Sequence, residues 1–82
     1  MNWRLELTRS ARKDCLALDD ATFTRVQQAM AKLESEPRPL GVRKITGQTN
    51  AWRLRVGDYR IVYDADRLIS IFRIRHRRDA YR

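Results

Sequence analysis

Residues 52–63 read Trp52-Arg-Leu-Arg-Val-Gly-Asp-Tyr-Arg-Ile-Val-Tyr63, two alternating runs around a Gly-Asp pair. Successive side chains of a strand point to opposite faces, so Trp52, Leu54 and Val56 share one face while Arg53 and Arg55 share the other. Gly57-Asp58 suits a two-residue hairpin loop, with glycine supplying the positive φ. That loop sets Arg55 opposite Arg60, Leu54 opposite Ile61 and Arg53 opposite Val62. One face of the hairpin is then apolar and aromatic, completed by Tyr59, Ile61 and Tyr63, and the other carries three arginines.

Gathering these cations is costly. Two guanidinium groups ~6 Å apart repel by roughly 0.7 kcal/mol in bulk water and about 3 kcal/mol at an effective dielectric of 20. A domain of this size has only a few kcal/mol of net stability. The arginines could fan out into solvent, as charged faces of strands commonly do. No acidic residue of the hairpin neutralises them in register, however: Asp64 shares their face at its far end, and Asp58 lies in the turn. A polyanion or an acidic protein would complete the surface.

The rest of the composition points the same way. Eighty-two residues leave room for one core, so residues 1–82 are expected to form one domain. The chain is 34% charged and 43% hydrophobic, a balance that suits a folded protein. Residues 1–41 hold seven Lys/Arg against six Asp/Glu, and residues 42–82 hold eleven against four, so +7 of the formal +8 lies in the second half. Such asymmetry points to nucleic acid, an anionic membrane surface or an acidic partner. Fifteen of the eighteen basic residues are arginine, whose planar fork suits phosphate. Cys15 and His76 are each the only residue of their kind, which excludes an internal disulfide and gives no support to a metal-ligand cluster or a Cys/His nucleophile pair. No apolar stretch approaches transmembrane length, and the N-terminus has no signal-like apolar region; a cytoplasmic protein is expected.

Along the chain, residues 3–7 alternate as a short strand. Thr8 is placed to cap a helix with Ala11, Cys15 and Leu18 on one face. Asp19 or Asp20 begins a second helix in which Phe23, Val26, Met30 and Leu33 recur at helical spacing. On this inward face Cys15 reads as packing. Residues 35–50, with Pro37, Pro39, Gly41 and Gly47, read as a long loop anchored by Ile45, a length that implies function or loose order. Residues 68–74 form a further strand, with Phe72 and Ile74 on one face and Ile69, Ile71, Arg73 and Arg75 on the other; continued alternation sets Arg77 beside Arg73 and Arg75. The expected fold is α+β in the order β-α-α-β-β-β, an antiparallel sheet with a helical hairpin on one face. Its other face, lined by Arg53, Arg55, Arg60 and Arg77, forms a shallow phosphate-binding cleft.

The hairpin, followed by His76-Arg-Arg-Asp-Ala-Tyr81, resembles the RelE branch of the RelE/ParE toxins of bacterial toxin–antitoxin systems. The likeness extends weakly over the helical hairpin and the Lys44-Ile45-Thr46-Gly47 stretch. It implies a small mRNA interferase: an endoribonuclease that enters the ribosomal A site and cuts mRNA by 2′-OH attack on the adjacent phosphate, with no metal or other cofactor, and that is silenced by an acidic-leaning antitoxin. Carried over, the catalytic residues are Arg60, Arg77 and Tyr81. Arg60 binds phosphate, Arg77 acts as acid or transition-state stabiliser, and Tyr81 stacks on the base or helps activate the 2′-OH. Arg53 and Arg55 match basic positions that are typically lysine, and Arg73, Arg75 and His76 complete the RNA-binding set.

Arginine stays protonated, so Arg53 and Arg55 are not general bases. Tyr81 is the leading base, since nearby cations favour its phenolate. His76 has the better intrinsic pKa, but alternation sets it on the face opposite Arg77. Residues 42–50 hold no carboxylate, unlike relatives with a Glu/His pair. Two other readings stand beside this one: a ParE-like, non-enzymatic inhibitor of DNA gyrase, and an RNA- or ribosome-binding module without cleavage.

Overall fold

The computed structural model describes residues 3–45, 47 and 51–80. The hairpin forms as its alternation requires. Strands β3 (Ala51–Val56) and β4 (Tyr59–Ala65) pair antiparallel, with Arg55 opposite Arg60, Leu54 opposite Ile61 and Arg53 opposite Val62. Gly57 turns the chain at φ 60°, a left-handed conformation that disfavours side chains. A Cβ there would also meet the Arg25 guanidinium at 3.1 Å.

Around the hairpin lie β1 (Leu5–Leu7), α1 (Arg9–Leu16), α2 (Asp20–Ser35), β2 (Arg43–Lys44), β5 (Ile69–His76) and a final turn, α3 (Arg77–Ala80). Thr8 caps α1, its hydroxyl oxygen accepting from the Ala11 N–H. Asp19 caps α2, accepting from the Thr22 N–H. Those bonds from Thr22 hold the Asp19 carboxyl below its ordinary range. Ala11 and Cys15 of α1 and Val26, Met30 and Leu33 of α2 are buried against Ile61, Tyr63, Ile69, Ile71 and Ile74 of the sheet. Each large aliphatic side chain so buried contributes about 1.5–3 kcal/mol. Leu18 falls beyond the end of α1 and packs from the connection, while Phe23 remains partly exposed at the rim. No helix among the described residues is long and apolar enough to cross a membrane.

Three features depart from the expected architecture. The sheet has five strands in the order β1-β5-β4-β3-β2 and is mixed, because β1 lies parallel to β5. Alternation sets which face a side chain takes but not which strand lies beside it. Second, the stretch read as loop contains β2, which sets Arg43 opposite Arg53 and Lys44 opposite Trp52. The Ile45 N–H donates to the Ala51 carbonyl, the Tyr63 hydroxyl donates to the Pro37 carbonyl at 2.6 Å, and Arg38 lies 5.7 Å from the Trp52 ring centre. The loop is therefore tied at several points besides Ile45.

The third departure is in β5. Tyr63 faces Ile71 and Val62 faces Arg73, leaving Phe72 as an extra residue, a β-bulge. Two consecutive residues thus leave the core face, and Ile69, Ile71 and Ile74 all enter it. Strict alternation would have separated Ile74 from the other two and grouped it with Phe72.

Candidate nucleic-acid interface

The register brings the arginines together in rows. Arg55, Arg60 and Arg75 lie opposite one another across β3, β4 and β5; Arg43, Arg53, Val62 and Arg73 form the next row, beginning on β2. Neighbouring strands are ~4.8 Å apart and same-face rows ~7 Å apart, so several guanidinium groups share a small area. A cleft of about 370 Å³ opens here, lined by Gly41, Arg43, Arg53, Arg55 and Arg60. Among the described residues its lining contains no carboxylate.

Local contacts orient these cations. The Arg55 Nε–H donates to the Gly57 carbonyl at 3.1 Å, and an Arg60 Nη1–H donates to the Tyr59 carbonyl at 3.5 Å. One row beyond Arg53 and Val62 the sign reverses, since Asp64 and Ser70 are paired and Ser70 is paired with Glu6. The face is thus cationic at the hairpin end and mixed in charge at the other, where Glu6 pairs with Arg4 at 3.1 Å.

The remaining expected site residues are distributed differently. Arg73 turns to α1, where its Nε and Nη2 donate to the two Asp14 carboxylate oxygens at 2.9 and 3.2 Å. Arg77 does not continue the β5 row. Its backbone N–H donates to the Asp58 carbonyl at 2.6 Å and its Nε lies 3.9 Å from Asp58 Oδ1, so it sits at the hairpin turn, outside the cleft lining. His76 follows the core-side parity of Ile74: its ring meets Tyr59 edge-on at 5.2 Å, and its Nδ1 accepts from the Arg78 N–H. Tyr81 lies outside the described residues. Arg43 was missed in the sequence because a two-residue strand has no period to read.

Tyr63 and Cys15 both face inward. Burial pushes the Tyr63 hydroxyl up to about 12, against an opposing influence from Arg38. The Cys15 thiol is also raised, first by burial and then by the neighbouring Asp14 charge. Neither is poised to ionise near neutrality. Among the described residues no group of three or more His, Cys, Asp or Glu could hold a metal ion. Chemically the cleft is an array of permanent cations with fixed hydrogen-bond donors, able to seat phosphate but not to accept a proton.

Residues 5–81 match the family described as ParE toxin of type II toxin-antitoxin system, parDE. The chain therefore belongs to the RelE/ParE superfamily of type II toxin–antitoxin toxins. None of the curated proteins matches it at a significant level. Among solved structures it is similar to the archaeal RelE–RelB complex of Pyrococcus horikoshii, at 28% identity and TM-score 0.79, covering 94% of this chain and 97% of that one. The Mycobacterium tuberculosis toxin–antitoxin complex RelBE2 is 23% identical at TM-score 0.79, with 93% and 99% covered. The isolated E. coli RelE toxin is 15% identical at TM-score 0.80, with 90% and 83% covered. The last two likenesses concern the fold alone.

Proposed function

We propose that this toxin is of the RelE type, a metal-independent endoribonuclease that cuts mRNA in the ribosomal A site. The observation that carries the reading is the cleft in which Arg43, Arg53, Arg55 and Arg60 converge. The 2′-oxygen would attack the adjacent phosphorus and expel the 5′-oxygen, leaving a 2′,3′-cyclic phosphate and a 5′-hydroxyl. Negative charge on the phosphoryl oxygens rises in that transition state, and donors already oriented by Gly57 and Tyr59 stabilise it without rearranging. The proton acceptor must come from outside the arginines. Tyr81 fills that role better than His76, whose ring lies on the core-side parity with Nδ1 already engaged. The ribosome would supply the orientation of the RNA that a shallow cleft does not. An acidic antitoxin would neutralise the same face, since carboxylates relieve the repulsion among its cations. The setting is the cytoplasm, where mRNA, ribosome and antitoxin meet.

One observation favours a second reading, a gyrase inhibitor of the ParE type: the family that matches is described by the ParE toxin. Induced expression with mapping of mRNA 5′ ends, run beside a gyrase supercoiling assay, separates the two. New 5′ ends within translated frames and unaffected supercoiling are expected. Arg60→Ala should lower cleavage by roughly a hundred- to a thousandfold, the scale for removing one positioned transition-state donor, while its circular dichroism matches wild type. Undiminished cleavage by a folded Arg60→Ala variant would remove Arg60 from the site.

A further inference from the structure

Phe72 is a large aromatic side chain that neither the core nor the arginine cleft uses. It is 38% exposed and stands outside the core cluster. The bulge places it there: Ile71 and Ile74 enter the core, so Phe72 and Arg73 both leave it, on the side of Val62. Bulges re-aim side chains at a cost in regular pairing. This one is held firmly, because the Thr8 N–H donates to the Ile71 carbonyl at 2.9 Å and the Thr8 hydroxyl to the Phe72 carbonyl at 3.0 Å. Arg73 bends away to Asp14, which leaves the phenyl ring uncovered by its neighbour's guanidinium.

The position of the ring relative to the charges indicates its occupant. Val62 on β4 separates Phe72 from Arg53 on β3, about two strand spacings or ~10 Å, within reach of a nucleotide adjoining a phosphate held in the cleft. Beyond the row of Arg53 and Val62 the cationic run ends, at Asp64 and at Glu6, which pairs with Arg4 at 3.1 Å. Proteins that hold single strands combine a cationic track with aromatic rings on which bases stack. Resting on the RNA-binding reading above, we propose that Phe72 is a stacking platform for a nucleobase of single-stranded RNA whose phosphate occupies the arginine cleft.

The test uses the intact protein and short single-stranded RNAs carrying 2-aminopurine at successive positions, whose fluorescence is quenched on stacking. Wild type and Phe72→Trp should quench one position preferentially. Phe72→Leu, which keeps apolar bulk but no ring, should lose that quenching, and affinity should fall by roughly five- to a hundredfold, the range for one base–aromatic stack. Equal quenching and affinity in wild type and a folded Phe72→Leu variant would overturn the proposal while leaving the RNA-binding reading intact. Unchanged RNA binding together with weakened binding of the co-expressed antitoxin would likewise overturn it, identifying the ring as a protein contact. Failure of wild type to bind the RNAs at low salt, where Arg60→Ala is no worse, would overturn both.

Discussion

Arg60 and Arg77 show how differently two arginines of one basic segment end up. Arg60 was legible because a two-residue turn and a period of two fix its cross-strand partner, and Arg55 does lie opposite it. Arg77 was not, since the strand gives way to α3 at that residue and Asp58 holds it at the turn. On the proposed reading Arg60 seats phosphate and Tyr81 carries the proton. If so, Tyr81→Ala should reduce single-turnover cleavage of A-site mRNA by roughly a hundredfold, the scale for a positioned acid–base group, with ribosome binding nearly unchanged. Substantial rescue by Tyr81→Phe would mean stacking instead of proton transfer. Equal rates in all three proteins would exclude Tyr81 from catalysis.

Among the elements, the helix caps and buried stripes were readable because capping and helical spacing are local properties of the chain. The bulge in β5 was not, since the extra residue becomes visible only when Tyr63 and Val62 choose their partners. The contact that secures α1 to this strand was equally hidden: Asp14 is 59 residues from Arg73 in sequence, yet its Oδ2 accepts from both the Arg73 Nε and the Ile74 N–H. The Ile74 bond closes an edge position of β5 that β1 is too short to reach. Asp14→Ala should therefore lower stability by about 1–3 kcal/mol, the usual cost of leaving a buried donor unsatisfied. Asn at this position should recover part of the loss by accepting from Ile74. Arg73→Ala should cost less, because its side chain is 42% exposed and its ion pair is screened. Urea titrations of the three variants give the order; a loss on Arg73→Ala as large as on Asp14→Ala would show the ion pair, not the Ile74 bond, to be the stabilising part.

For the whole molecule the same charges act in opposite senses on folding and on binding. With a formal charge of +8 and arginines in adjacent cross-strand rows, the folded state carries internal repulsion that added salt screens over a Debye length of about 10 Å at 0.1 M. Salt should raise the unfolding midpoint modestly. An RNA strand bound at the cleft instead displaces counterions, so its affinity should fall as salt rises. Contacts to two to four phosphates predict a slope of log affinity against log salt of roughly −1.5 to −3. Thermal unfolding and RNA binding measured over one series of salt concentrations should move in opposite directions. Arg60→Ala should flatten both dependences, since it removes one of the repelling cations and one phosphate contact together. RNA affinity that is insensitive to salt would show that the cationic face is not where the strand lies, however stable the fold became.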